Sequence, residues 1–326
     1  MKRVVTSVLI LTATLAATLA SADDGRQDSG PSHELSRLEL DFASAALEVG
    51  APWDVMAPLL AGEWAALGAV QEQTGAPNGT AAGQSDATAL AEKTQNPISS
   101  LISVPFQNNT AFNVGLNNDV QNVLNIQPVI PVNVGDWNLI NRVILPLVYQ
   151  PEIIPGQDAE FGLGDLNYSL FFSPADSGTV MWGVGPAVVF PTATDDVLGS
   201  GKLSLGPTAV VVATPRPWVL GVLWSNTWSV AGDSDRPSVN RMLLQYFVNY
   251  NLADGWYLTS APIITADWNA DSDERWVVPI GGGFGKVFRI GNQSMNCNFQ
   301  AFYNIEDTST SGDWSIRFQL SLLFPK

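Results

Sequence analysis

The sequence contains one cysteine and one histidine among its 326 residues, Cys297 and His33. A single cysteine excludes an intramolecular disulfide, and no paired Cys-x-x-Cys motif is present to hold a metal ion. A hydrolase with a serine nucleophile needs a histidine base beside it, and His33 precedes the predicted strands. The sequence therefore predicts no enzyme, no cofactor and no metal site, and His33 is interpreted as a solvated helix residue.

Basic residues are also scarce. The chain has 15 Lys and Arg against 31 Asp and Glu, a net charge of -16. Nucleic-acid binding requires a concentrated positive surface, so no nucleic-acid partner is expected. Charged residues are nevertheless only 14% of the chain and hydrophobic residues are 46%, which is too apolar for a disordered acidic protein. The chain is expected to fold.

Long hydrophobic runs are absent except at the start, where Lys2 and Arg3 precede an apolar run from Val4 to Leu19. The run ends at Ala20-Ser-Ala22, and this order predicts a secretory signal peptide over residues 1–22. A membrane anchor is the alternative, but a spanning helix needs about 20 apolar residues and this run is shorter. Its removal changes the net charge from -16 to -18.

Residues 23–98 are predicted to form a helical, linker-containing extension. Leu35, Leu38 and Phe42 recur at spacings of three and four, which is typical of an amphipathic helix. Residues 74–84 have the composition of a flexible linker, and Asn96-Pro97 is expected to end a short helix over residues 85–95. The sequence leaves open whether this extension lies in the periplasm or is inserted into the lumen described next.

In residues 99–326 the apolar period changes from 3.6 to 2. Met295, Cys297 and Phe299 alternate with Asn296 and Asn298, so one face of such a strand is apolar and the other is polar. The pattern predicts an all-β fold, a transmembrane antiparallel β-barrel of about 12 strands, although ten or fourteen strands also fit. Tight turns are expected after every second strand and mostly longer loops between them. The predicted strands lie near residues 100–108, 122–133, 137–148, 164–173, 179–190, 203–214, 218–230, 239–252, 256–268, 276–288, 293–305 and 314–324.

Tryptophans mark the ends of these predicted strands, as in Val134-Gly-Asp-Trp137 and Ala253-Asp-Gly-Trp256. Bilayer interfaces favour tryptophan, whereas a secreted β-sandwich, which also alternates, has no reason to place it at both strand ends. Two girdles are predicted, and their orientation places both chain termini in the periplasm of a bacterial outer membrane. The periplasmic rim is expected to hold Trp137, Trp182, Trp218 and Trp256, and the outer rim Trp228, Trp268, Trp276 and Trp314.

The polar face carries the candidate functional residues. Charged side chains in a lumen either set the selectivity of a channel or form a structural ladder of salt bridges, and the sequence favours neither. The candidates for the lumen are Arg142, Asp165, Arg241, Gln245, Gln300 and Arg317.

Several segments are distinctive, among them the residues 96–108, Trp182-Gly-Val-Gly-Pro186 and the closing residues 317–326. From about residue 90 onward the chain resembles a bacterial outer-membrane transporter-like family grouped with proteins of the phenol-degradation meta-cleavage pathway and often mislabelled neuromedin-like. The resemblance implies an outer-membrane barrel with a transport role, in some cases in aromatic-compound contexts, and no catalytic residues. Outer-membrane strands often finish on a terminal aromatic, whereas here Phe324 is followed by Pro325 and Lys326.

The expected function is passive passage of small solutes through an outer-membrane channel, including aromatic or hydrophobic compounds. The alternative is a non-conducting structural barrel or an autotransporter-like secretion barrel. The expected partners are outer-membrane lipids, lipopolysaccharide, the outer-membrane assembly machinery and an unidentified small-molecule solute.

Overall fold

The structure is a computed structural model and describes residues 90–115 and 117–325. A helical turn over residues 90–94 precedes fifteen strand elements, and a short 3-10 helix covers Ala253–Gly255. The strands are β1 (Ile102–Val114), β2 (Asp119–Ile126), β3 (Val129–Val134), β4 (Trp137–Gln150), β5 (Glu160–Leu163), β6 (Leu166–Pro174), β7 (Val180–Phe190), β8 (Lys202–Ala213), β9 (Trp218–Gly232), β10 (Asn240–Asn251), β11 (Trp256–Ser260), β12 (Ile263–Asp267), β13 (Trp276–Ile290), β14 (Gln293–Glu306) and β15 (Trp314–Phe324).

Three strands of the barrel are interrupted, so the fifteen elements occupy twelve positions. The interruptions lie at Gln127-Pro128, Gly164-Asp165 and Ala261-Pro262. In the first and third, proline lacks the N–H that the ladder requires, so pairing stops and resumes beyond it. β2 and β3 both pair with β1 and β4, and β11 and β12 both pair with β10 and β13, as one continuous strand would.

Pairing between the first and last strands closes the barrel. β1 runs antiparallel to β15 from Ile102 opposite Phe324 to Phe112 opposite Trp314, and β1 pairs with β2 on its other side. Every neighbouring pair is antiparallel and, apart from β5, which pairs only with β4, each described strand pairs on both of its sides within the wall. Such closure is how a barrel satisfies its backbone hydrogen bonds without water. The predicted all-β barrel of twelve strands is confirmed. No helix in the described part of the chain is long and apolar enough to cross a membrane.

The two faces of the wall follow the alternation in the sequence. On β14, Asn296 and Asn298 point inward and are buried, whereas Phe299 and Tyr303 point outward and are 40% and 59% exposed. The same division recurs on β9, where Val219 and Leu223 are buried inside and Val222 and Trp224 are exposed outside. The outer surface is therefore an apolar belt.

The connections differ in length at the two ends of the barrel. We call the end with residues 135–136, 175–179, 214–217, 252–255 and 291–292 the short-turn end. The opposite, long-loop end carries residues 115–118, 151–159, 191–201, 233–239, 268–275 and 307–313. The first residue of β1 and the last residue of β15 both lie at the short-turn end, as an even strand count requires.

The first two strands are longer than the sequence predicts, and only four residues separate β1 from β2, where a long connection between residues 108 and 122 is expected. The apolar pattern fails there because Asn108, Thr110 and Asn122 lie on the outward face. Their side chains bond to one another: Asn122 Nδ2 donates to Asn108 Oδ1 at 3.1 Å and to Thr110 Oγ1 at 2.8 Å. Because these three polar side chains hydrogen-bond to one another, the strands continue through a region where the sequence shows no apolar alternation.

One side of the interior is an apolar core. Inward-facing residues of β4, β6, β8, β9 and β10 pack together, and Ile98, from the segment before β1, packs among them with 4% of its surface exposed. The segment from residue 90 to residue 101 therefore lies against the inner wall of the barrel. The members of this cluster are Ile98, Ile140, Phe171, Val210, Val212, Val219, Leu223 and Phe247.

Candidate functional site

A cavity of about 170 Å³ lies inside the barrel, between the inner wall and residues 93–101. We call it the lumen cavity. A cavity needs only about 10–15 Å³ of this kind of volume to hold one water molecule, so several waters or one small solute fit. Cations, amides and a few apolar side chains line it. Its lining includes Lys93, Gln107, Gln127, Arg142, Leu223, Gln245, Phe247, Asn249, Tyr257, Asn296, Asn298, Gln300, Arg317 and Gln319.

Arg142 reaches the lumen cavity from β4 and is positioned by the interruption between β2 and β3. Its Nη2 donates to Oε1 of Gln127 at 3.0 Å. Gln127 precedes Pro128, where the ladder breaks, and its own N–H bonds to the carbonyl of Pro105 at 2.9 Å. The break thus holds an amide side chain inside the barrel as the acceptor for the guanidinium.

Arg317 lies on β15 beside the interruption between β11 and β12. Its Nη1 donates to the carbonyl oxygen of Ala261 at 2.8 Å, and Gln300 Oε1 accepts from the backbone N–H of Ala261 at 3.0 Å. Gln245 Nε2 donates to the same carbonyl at 3.4 Å. Because Pro262 ends the ladder, the polar backbone of Ala261 is free to meet these three side chains. Three of the sequence-predicted candidates therefore converge on one backbone position.

Amide side chains connect the two arginines. Gln127 Nε2 donates to Gln107 Oε1 at 3.3 Å, and Gln107 Nε2 donates to Asn109 Oδ1 at 3.3 Å. Arg317 Nε donates to that same Asn109 oxygen at 2.8 Å. A continuous chain of hydrogen bonds consequently runs from Arg142 to Arg317 across the inner face of β4, the β2–β3 junction, β1 and β15, and fixes both guanidiniums.

Aromatic rings enter the lumen cavity where the wall carries glycine. A Cβ on Gly285 would collide with the ring of Tyr257, and a Cβ on Gly221 would collide with the ring of Phe247. Tyr257 is 2% exposed, and its hydroxyl donates to Asn296 Oδ1 at 2.8 Å. The glycines thus make room for two rings that narrow the lumen, which agrees with a small cavity rather than a wide pore.

Asp165 and Arg241 are not brought together with the other candidates. The Asp165 carboxylate accepts from the backbone N–H and the hydroxyl of Ser200, at 2.7 and 2.9 Å, and so ties down the loop after β7. Arg241 pairs with Asp267 at 3.2 Å near the long-loop end, where its side chain is 64% exposed. Neither residue lines the lumen cavity.

Within residues 90–115 and 117–325, neither guanidinium at the cavity has an acidic partner. The ion pairs of the described residues join Arg216 to Glu92, Arg236 to Asp196 and Arg241 to Asp267. Among the side chains that the structure describes, no Asp or Glu lines the lumen cavity. Arg142 and Arg317 are therefore held by neutral oxygens and do not form a ladder of salt bridges.

The segment before β1 closes the cavity from the short-turn end. Gln95 Nε2 donates to Asn251 Oδ1 at 2.8 Å, and Asn96 Nδ2 contacts the Met181 sulfur at 3.0 Å. Ala91 and Leu101 pack against Tyr257, Val287 and Leu323 in a second buried cluster. We call residues 90–101 the inserted segment. Residues 23–89 of the predicted extension, and His33 with them, lie outside the described residues.

The tryptophans lie at the two ends of the barrel in the groups that the sequence separates. Trp137 and Trp182 meet edge to face at the short-turn end, with ring centroids 6.1 Å apart. Trp218 and Trp256 begin β9 and β11 at that same end. At the long-loop end Trp268 and Trp276 meet edge to face, with ring centroids 5.4 Å apart, and Trp314 stacks on Phe112 at 4.1 Å. Trp228 lies on the part of β9 that leads to the same end. Which end faces the periplasm stays a prediction.

Sequence reasoning missed the residues that connect the arginines. Gln107 and Asn109 lie on the inward parity of β1, but the predicted first strand ends at residue 108, so Asn109 fell in a loop. Gln127 falls inside a predicted strand, and the signal that marks it is the proline that follows. The Ala261-Pro262 dipeptide carries the same signal.

No protein-family model matches the sequence, and no curated protein is significantly similar to it. Solved structures do match. An outer membrane channel from Pseudomonas putida F1 superposes with a TM-score of 0.54 at 14% identity, covering 69% of this chain and 94% of that one. At this identity the likeness shows the fold alone.

Two further matches have TM-scores below 0.5. An outer membrane phospholipase dimer from Salmonella typhi matches with a TM-score of 0.38 at 12% identity, over 74% of this chain and 97% of that one. A Pseudomonas aeruginosa FadL homologue matches with a TM-score of 0.34 at 8% identity, over 69% and 89%. The resemblance to the phenol-pathway proteins stays a prediction.

Proposed function

We propose that the protein is a channel of the bacterial outer membrane for passive passage of small solutes, with both chain termini in the periplasm. The observation that supports this most is the pairing of an apolar outer belt, flanked by tryptophan at both ends, with a polar lumen cavity. An apolar outer band between two aromatic girdles is typical of a barrel wall in lipid, and a polar interior that contains open space is typical of a channel.

Dimensions support the membrane assignment. The uninterrupted strands β7 and β15 have eleven residues each. At about 3.3 Å per residue and a tilt of about 40°, such a strand covers about 28 Å, close to the apolar band of roughly 25 Å typical of outer-membrane barrels. In this proposal the apolar belt contacts phospholipid and lipopolysaccharide, and the outer-membrane assembly machinery inserts the barrel into the membrane.

The cavity sets the size of the solute. A channel of twelve strands is narrow beside porins of sixteen to eighteen strands, and here the inserted segment and two aromatic rings narrow it further. We therefore expect small conductance steps and passage of molecules no larger than one or two rings, aromatic or hydrophobic compounds among them.

Planar bilayer recordings test the proposal. The mature protein, refolded and inserted, is expected to give discrete conductance steps in potassium chloride. Preparations that are folded, by their heat-sensitive shift in gel mobility, and never conduct would contradict a channel. A tag near Asp23 that is accessible on the surface of intact cells would instead support an autotransporter-like secretion barrel.

A further inference from the structure

The lumen cavity combines positive charge with an absence of negative charge. Lys93, Arg142 and Arg317 line it, and among the described side chains no carboxylate does. Arg142 makes one hydrogen bond with its five N–H donors and Arg317 makes two, all to neutral oxygens. Among the described residues these guanidiniums therefore have no acidic partner, and the one further contact of their charge is that of Arg317 with the Phe302 ring, whose centroid lies 4.9 Å from its Cζ.

This arrangement is costly unless an anion shares the site. Removing a charge from water carries a large penalty, which neutral hydrogen-bond acceptors offset only in part. Arg317 is 7% exposed, and amide and backbone oxygens hold it in place. Low-dielectric walls also focus the field of these cations into the cavity. The geometry points to a binding site for a small organic carboxylate in the lumen cavity, formed by Arg142 and Arg317, an inference that rests on the channel function proposed above.

The class of anion follows from the donors and from the remaining lining. A guanidinium offers two parallel N–H donors that match the two oxygens of a carboxylate. Leu223, Phe247 and Tyr257 supply apolar surface in the same cavity, against which the body of the solute packs. A carboxylate with a compact apolar body contacts both the guanidinium donors and the apolar side chains, whereas a halide ion contacts only the guanidinium donors.

The acidity of the chain does not oppose this assignment. Asp195, Asp233, Asp235, Asp271 and Asp273 lie on exposed loops at the long-loop end. Exposed charges are screened by salt over about 8 to 10 Å, whereas charges inside a narrow lumen are screened much less. The loops therefore affect the approach of a solute, and the cavity decides which solute binds.

Benzoate and its neutral counterpart benzamide are the probes. Calorimetric titration of the full mature protein in detergent is expected to show benzoate binding about tenfold more tightly than benzamide, as loss of one charge-assisted hydrogen bond predicts. Arg142→Gln should remove that difference. Arg289→Gln is the matched control, because Arg289 is exposed and lies outside the cavity lining. Equal binding of the two probes, or an equal effect of both substitutions, would overturn the site.

A second measurement separates the charge from the shape of the guanidinium. In a potassium chloride gradient the reversal potential of the wild-type channel should indicate preference for chloride, and Arg142→Lys should retain that preference while weakening benzoate binding. Arg317→Lys gives the same comparison at the second arginine if Arg142→Gln fails to fold. A channel that conducts without anion preference and without benzoate binding overturns the carboxylate site alone. Benzoate binding by a protein that never conducts supports the site and contradicts the channel.

Discussion

At the scale of single residues, the inner wall is shaped by close approach between glycine and aromatic rings. Tyr257 occupies the space above Gly285, and Phe247 occupies the space above Gly221. Neither contact follows from alternation, because a glycine within a strand is as easily a bulge or a bend as a site of ring packing. The ring of Tyr257 is the neighbour that needs the space at Gly285.

Gly285→Ala tests this packing. The added methyl group meets the Tyr257 ring, which is buried and held by Asn296, so we expect the free energy of unfolding to fall by about 1–3 kcal/mol. Denaturant titration in detergent micelles, followed by tryptophan fluorescence, measures the change. Gly178→Ala is the control, since no atom lies within 4 Å of a Cβ there and its backbone is not left-handed. Equal effects at both positions would show that Tyr257 moves aside freely.

At the scale of elements, the strands were predictable and their interruptions were not. Alternation places all twelve strands, because each has one face in the apolar belt and one toward the lumen. It cannot locate the ends of β1 and β2, where the side chains of Asn108, Thr110 and Asn122 hydrogen-bond to one another on the outward face.

The lumen candidates were recovered in part: four of the six line the cavity. The network that joins them depends on long-range contacts, such as that of Asn109 with Arg317, which no local pattern contains.

The inserted segment is an element whose position local sequence also leaves open, since Ile98 packs against residues 42 or more positions away. We expect Ile98→Ala to loosen it, because loss of a buried isoleucine costs about 2–5 kcal/mol. If the inserted segment leaves the lumen, planar bilayer recordings should show longer open times and larger conductance.

Arg216→Gln is the matched comparison for the inserted segment. It removes the ion pair with Glu92, whose N–O distance is 2.9 Å but whose arginine side chain is 75% exposed. An exposed pair contributes about 0–1 kcal/mol, so conductance should change little. If Arg216→Gln opened the channel as strongly as Ile98→Ala, the exposed ion pair and not the apolar core would hold the segment in place.

At the scale of the whole molecule, the apolar belt predicts an effect of depth in the membrane that a soluble fold would not show. Val222 lies on the outer face of β9, four residues from Trp218 at one end and six from Trp228 at the other, and is 44% exposed. These separations place it about 10 Å and about 15 Å from the two girdles, near the middle of a bilayer, for a strand tilted by about 40°. Val180 is 57% exposed on the same outer face but begins β7 at the short-turn end, beside Trp182.

Arginine at these two positions should therefore have unequal effects in lipid. A charged side chain on the lipid face costs about 2–4 kcal/mol at the midplane and about 0–1 kcal/mol near an interface. We expect Val222→Arg to reduce the free energy of unfolding in phospholipid vesicles by the larger amount and Val180→Arg to reduce it by the smaller one. Equilibrium unfolding in guanidinium measures both changes. In water both substitutions would fall on exposed surface and cost little. Equal costs in vesicles would mean that the belt does not lie in hydrocarbon. That result would contradict the channel function, because a lumen cavity conducts between compartments only if the wall around it spans a membrane.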